Sequence, residues 1–150
     1  MKVNYFSIPE ITVSYKDNVK ASERFVVKCS EDASQIFAEA HKDCMEHHEE
    51  VNVLFLNRAN RVIGISCISK GGLDGTVVDI RIILQTALKA NCSSVMLSHN
   101  HPSGSRKPSQ ADISITQKLK EGCKAVGLLL LDHLIITGEG YMSFADEGLL

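Results

Sequence analysis

The sequence predicts an α/β (α+β) domain in which a mixed β-sheet is flanked by helices. Three observations carry that expectation. Stretches of helical period, such as Ala33, Ile36, Phe37 and Ala40, alternate along the chain with short apolar runs such as Val95–Met96–Leu97, the pattern of strands and helices packed in layers. A chain of 150 residues suits one domain, large enough to bury about 68–70% of the surface its unfolded form exposes. Apolar content of 44% against 23% charged residues is the balance of an ordinary globular protein.

In order along the chain, residues 1–29 read as an extended lead-in. Ile11, Val13 and Tyr15 alternate with polar residues, Lys16-Asp17-Asn18 turns the chain and Phe25-Val26-Val27 follows, so a strand or hairpin is expected there. Ser30-Glu31-Asp32 opens a helix whose apolar positions Ala33, Ile36, Phe37, Ala40 and Cys44 repeat at three and four. It runs into the cluster Glu46-His47-His48-Glu49-Glu50. His47 and His48 are neighbours and cannot share a face of a helix or a strand, so the pair reads as a solvated helix end, where the helix dipole favours positive charge. Val51 to Asn57 and Val62 to Ile68 form two strands joined by the turn Arg58-Ala59-Asn60, together a hairpin. Lys70 to Gly75 is a loop whose glycines lack a phosphate-cradling spacing.

Asp79 then caps a helix with Ile80, Ile83, Leu84, Ala87 and Leu88 on one face, ending near Asn91. A strand through Val95–Leu97 follows. After Pro108 the pattern is helical again, with Ile115, Leu119 and Cys123 facing inward. Val126–Leu131 and Leu134–Thr137 read as buried strand, Gly138-Glu139-Gly140 as a turn and Tyr141–Phe144 as a short return strand.

The chemistry concentrates between Ser98 and Asp112. His99 and His101 stand two apart at the end of an apolar strand, so both imidazoles leave one face with their Cα atoms roughly 7 Å apart. Pro102, Gly104 and Pro108 break the strand and turn the chain. Ser109 N-caps the next helix with Asp112 at its third position, at the helix mouth beside the strand end. Two histidines and one carboxylate with a fourth position open make a catalytic zinc arrangement rather than a closed structural one. The same residues have a plainer reading. Ser109-Gln-Ala-Asp112 is also an ordinary capping box, and two histidines at i, i+2 are commonly just a polar strand end. The whole pattern is a much rarer coincidence than either part.

His99-x-His101, seven residues, then Ser109-x-x-Asp112 resembles the metal-binding signature of the JAMM metallopeptidases, the JAB/MPN domain superfamily. The fuller string His-Asn-His-Pro-Ser-Gly, followed by Pro108-Ser109, Asp112, Thr116, Leu131-Asp132-His133 and Tyr141-x-Ser143-Phe144, is similar to the RadC branch. The likeness covers roughly residues 45–150. It implies one JAB/MPN-type domain over 1–150, three-layered and cytidine-deaminase-like, with a metal-site core at about 45–150. It also implies Zn2+ held by His99, His101 and Asp112, and a metallopeptidase or isopeptidase acting on a peptide or protein substrate. Longer members of the branch carry an N-terminal helix–hairpin–helix domain associated with DNA, which is expected to be absent here. Arg81 matches the branch, while Ile82 stands where it has an acidic residue.

Zinc lowers the pKa of a bound water from ~15.7 towards ~7, and a carboxylate that takes the proton adds roughly 10²–10⁴-fold. JAMM proteins take this base from a glutamate on an earlier strand. Here strand parity leaves two candidates: Glu49 shares a face with Val51, Val53 and Phe55, and Glu50 with Asn52, Leu54 and Leu56. The resemblance through Val53–Asn57 places the base on Glu49, with Glu46 a third candidate. By the same resemblance Ser109 donates a hydrogen bond to the developing oxyanion, besides serving as N-cap. His133 reads as a core or supporting histidine rather than a fourth ligand.

Composition removes several other classes. No run approaches the ~20 apolar residues of a membrane span, and the N-terminus lacks a secretory pattern. Five cysteines, an odd number without a Cys-x-x-Cys pair, argue for a reducing compartment, hence a cytoplasmic protein. A net charge of −2 gives no support to nucleic-acid binding, which usually carries a basic face; Arg106 and Lys107 are only a small basic spot. No feature argues for or against a homo-oligomer. Two alternatives to the hydrolase remain: a repair or recombination accessory of the RadC type without peptidase activity, and a non-catalytic MPN scaffold.

Overall fold

A computed structural model describes residues 9, 11–16, 18–71 and 77–150. After a single 3-10 turn at Ala21–Glu23 come α1 (Ser30–His41), β1 (Glu50–Leu56), β2 (Val62–Lys70), α2 (Ile80–Lys89), β3 (Ser94–Asn100), α3 (Gln110–Ala125), β4 (Leu129–Thr137) and β5 (Gly140–Ser143). The strands form one mixed sheet in the order β2-β1-β3-β4-β5. β1 runs antiparallel to both β2 and β3, β3 and β4 are parallel, and β5 returns antiparallel to β4. A parallel pair needs a crossover connection, and α3 is that connection.

Alternation along β1 explains the layers. Val51, Val53 and Phe55 join Val95 and Leu97 of β3 in a core that contains Ile83 and Ala87 of α2 and Leu119 and Cys123 of α3. Leu54 and Leu56 point the other way, joining Met96, Leu134 and Ile136 beneath Ala33 and Phe37 of α1. The expected mixed sheet flanked by helices is therefore present, with helices on both faces. Every residue of β1 and β3 is buried, so these two strands lack the polar alternation of a half-exposed sheet. No helix among the described residues is long and apolar enough to cross a membrane.

Several expectations need correction. The lead-in forms no strand over its described residues 11–15. Ile11 and Val13 are exposed, because alternation makes a strand only where a partner takes the backbone groups. Among the described lead-in residues, Val26 alone forms a bridge, an isolated one to Arg61. Tyr15 is tied by its hydroxyl, which donates to the Ile63 carbonyl at 3.2 Å. Asp17 of the expected turn and residues 72–76 of the glycine loop lie outside the described residues. α1 stops at His41, and Cys44 sits in the following turn, its N–H bonded to the His41 carbonyl at 3.0 Å. Leu88 faces solvent rather than the core.

β4 runs unbroken through Asp132 and His133 because both buried side chains are satisfied. Asp132 accepts from the Ser143 hydroxyl at 2.5 Å and from Ala145 N at 3.0 Å. β4 begins only at Leu129, and Val126 and Gly127 form the turn that follows α3. Gly127 has φ +75, a left-handed conformation that suits glycine after a helix.

Candidate metal centre

Three element ends meet on the α2/α3 face of the sheet. β3 ends in His99, Asn100 and the following His101; α3 begins at Gln110, one residue past its cap; β1 starts beside them, with Val51 directly opposite His99. The loop between the histidines and α3 is cinched by its own bonds. Gly104, at φ +78, donates to the His101 carbonyl at 3.0 Å. His101 Nδ1 donates to the Ser105 carbonyl at 2.7 Å. The result is a cluster in which single ligand atoms of His99, His101 and Asp112 all lie within 4.8 Å of one another.

Ser109 and Asp112 form the capping box: Ser109 Oγ accepts from Asp112 N at 3.1 Å, and Asp112 Oδ2 accepts from Ser109 N at 2.6 Å. The capping reading and the ligand reading are thus one geometry. The bond to Ser109 fixes the carboxylate rotamer, and that rotamer sets Oδ1 3.2 Å from His99 Nε2 and Oδ2 3.6 Å from His101 Nε2.

A chain of hydrogen bonds behind His99 decides where its proton sits. The Thr116 hydroxyl donates to the Asp112 carbonyl at 2.6 Å. A hydroxyl has one proton, so Thr116 Oγ1 must accept from His133 Nδ1 at 2.6 Å. His133 Nε2 is then a lone pair and accepts from His99 Nδ1 at 2.8 Å. Burial pushes His133 well below its ordinary pKa, so it stays neutral and the relay holds. His99 is left with its lone pair on Nε2. His101, donating through Nδ1, likewise presents Nε2, and the two Nε2 atoms are 2.8 Å apart.

Two lone pairs and a carboxylate at such distances require a positive charge among them. Without a metal, a proton does this. The hydrogen bond with Asp112 raises the His101 pKa. Burial alone would raise that of Asp112, but the bonds from His101 and His99 hold it far below the carboxylate range. Two neutral imidazole nitrogens and a carboxylate oxygen, each oriented by a second bond, fit a divalent ion of zinc's type with a position left open.

A cavity of about 640 Å³ opens over this cluster, lined by Glu49, Ser109, His99, His101 and Asp112 and walled by apolar side chains including Val51, Val78, Leu97 and Ile115. Glu49 lies near enough for its charge to act on His101. Glu50 is carried to the opposite face of the sheet, where its backbone N–H and its neighbours Cys44 and His48 meet Asn100. Glu46 is exposed and does not line the cavity.

Asn100 and His41 were not singled out by sequence reasoning. Asn100 is fully buried. Its amide donates to the carbonyls of Cys44 (3.1 Å), Met45 (3.2 Å) and His48 (2.8 Å), and its Oδ1 accepts from Glu50 N at 2.8 Å. It therefore clamps the segment that delivers Glu49. The available signal was its place between two histidines of one strand, which puts it on the far face. His41, also fully buried, bonds Ser98 Oγ at 3.0 Å and accepts from Asn52 Nδ2 at 3.3 Å.

Residues 27–149 match the family profile described as the RadC-like JAB domain. A UPF0758 protein of Flavobacterium johnsoniae is 49% identical over 102 residues, which is 68% of this chain and 44% of that protein. One from Porphyromonas gingivalis is 45% identical over 103 residues, 68% of this chain and 45% of its own length. One from Syntrophomonas wolfei is 40% identical over 129 residues, 85% and 55% respectively. The chain spans about half the length of these relatives.

Proposed function

For a chain that belongs to the RadC-like JAB domain family, we propose the function of a zinc-dependent hydrolase of the JAMM metallopeptidase type, acting on a peptide or isopeptide bond. The observation that carries this reading is the convergence of two oriented imidazole lone pairs and a cap-fixed carboxylate at the floor of an open cavity. His99, His101 and Asp112 would hold the ion. When bound, zinc supplies Lewis acidity towards a carbonyl and makes water a stronger acid.

The chain's own groups account for the remaining work. Glu49, beside the cluster but outside its donor set, takes the proton of the attacking water and returns it to the leaving amine. The Ser109 hydroxyl accepts from Asp112 N, so its own proton is free to point into the cavity and meet the developing oxyanion. The apolar walls exclude water and receive the substrate side chains. All five cysteines are free, which fits a reducing, cytoplasmic location.

Glu49→Gln tests the reading. The amide keeps the shape of the carboxylate but cannot accept a proton, so zinc content by elemental analysis should be unchanged while peptide turnover falls by about two orders of magnitude or more. Asp112→Asn should instead weaken zinc retention. A zinc-loaded protein that cleaves no member of a broad peptide and isopeptide panel, and whose Glu49→Gln form is indistinguishable from it, overturns the peptidase reading in favour of an accessory or scaffold role.

A further inference from the structure

A second group of metal-binding side chains lies across the sheet from the first. Cys44, His48 and Glu50 each offer one ligand atom, and these lie within 4.8 Å of one another. Cys44 and His48 come from the turn after α1, and Glu50 opens β1. Glu50 shares its face with Asn52, opposite Val51 and His99. His48 Nε2 is 2.9 Å from Glu50 Oε1. Cys67, which pairs with Asn52 across the β1–β2 ladder, brings a second thiol to 3.7 Å from Glu50 Oε2.

The site is built rather than incidental. Cys44 and Glu50 are 3% and 8% exposed. The backbone on both sides is fixed by the four bonds of Asn100, to the carbonyls of Cys44, Met45 and His48 and to the N–H of Glu50. Yet the buried Cys44 sulfur has only long contacts, 3.3 Å to the His41 carbonyl, 3.7 Å to Asn100 Oδ1 and 3.9 Å to His41 Nδ1. A thiol, an imidazole and a carboxylate around one point match the donors of a tetrahedral zinc-class ion, whose ligand atoms sit roughly 3.3–3.8 Å apart. Lys70 Nζ stands 3.2 Å from Glu50 Oε1, but its side chain is 70% exposed and can withdraw into water.

We propose that Cys44, His48 and Glu50 form a second metal site, with Cys67 as fourth ligand, for a thiophilic divalent ion of the zinc class. Binding replaces the Cys44 and Cys67 S–H bonds by metal–sulfur bonds and releases one proton from each to solvent. Nothing is oxidised or reduced. The site differs from the His99 centre in kind, because sulfur donors select softer ions. It stands independently of the peptidase reading.

Cadmium provides the test, since a cadmium–thiolate bond has an ultraviolet charge-transfer band that a histidine–carboxylate site lacks. The reduced 150-residue chain carrying Cys29→Ser, which removes the exposed thiol outside the cluster, is titrated with CdCl2. The expected result is a band saturating at one equivalent of sulfur-bound cadmium. It should persist in His101→Ala and vanish in Cys44→Ser, and its intensity should fall in Cys67→Ser. Should Cys44→Ser fail to fold, His48→Ala replaces it, and its cadmium affinity should fall about tenfold or more. No band in the parent protein, a band retained in folded Cys44→Ser, or an unchanged affinity in His48→Ala overturns the proposal.

Discussion

Thr116 and His133 matter most at the scale of single residues, because they decide a proton position from behind His99. Thr116→Val keeps the shape of the side chain but removes both the bond to the Asp112 carbonyl and the acceptor for His133 Nδ1. His133 is then free to take the other tautomer and to present N–H to His99, which would move the His99 proton to Nε2. Zinc affinity, measured by competition with a chromophoric chelator, is expected to fall by about 10–100-fold, with the thermal transition little changed. The sequence made the candidate ligands legible because their spacing brings His99, His101 and Asp112 together. It also placed Thr116 and His133 in a matching string, but their order in a relay depends on β4 lying parallel to β3, with His133 beside Leu97. Asn100 was hidden for a similar reason: its four partners lie about fifty residues earlier, in a turn whose path no local pattern specifies.

At the scale of an element, α3 couples folding to the site through its first turn. Ser109 Oγ satisfies Asp112 N, and Asp112 Oδ2 satisfies Ser109 N. Ser109→Ala removes one of these bonds and should lower the urea-unfolding stability by about 1 kcal/mol. A capping role alone predicts nothing beyond that. Under the proposed chemistry, turnover of the metal-loaded variant should fall by roughly 10²-fold at constant zinc content. Most helices and strands were legible from period. The failures fall where an element depends on something outside itself: the described residues of the lead-in had alternation but no partner strand beyond the bridge at Val26, and α1 ended early because the chain turns at His41 to bring Cys44 under Asn100.

For the whole molecule, two cores on opposite faces of the sheet supply apolar burial that needs no ion. Chelation should leave a cooperative thermal transition while the 102–108 loop gains hydrogen-exchange rate; loss of the transition would mark the site as structural. Acid should be more damaging. Burial, helped by the charge of His99 and opposed by Glu50, lowers the His41 pKa from 6.5 to about 4. Between those values the unfolded chain binds a proton that the folded chain refuses, so stability falls as pH drops from about 6.5 to about 4, by on the order of 3 kcal/mol. The raised pKa of His101 has the opposite sign in metal-free protein but acts above this window: its contribution grows as pH falls through the raised value and is complete by about pH 6.5, so it does not offset the decline. Urea midpoints across this range should decline for the parent and decline less for His41→Gln. The clamp of Asn100 also sets what evolution can do with chain length. Glu49 and Glu50 are consecutive and face opposite sides of one sheet, so inserting or deleting a single residue between His48 and Val51 would exchange their destinations. The span from Cys44 to Val51 should therefore reject insertions and deletions, while the hairpin turn at Arg58–Asn60, with no side chain in either cluster, should absorb them.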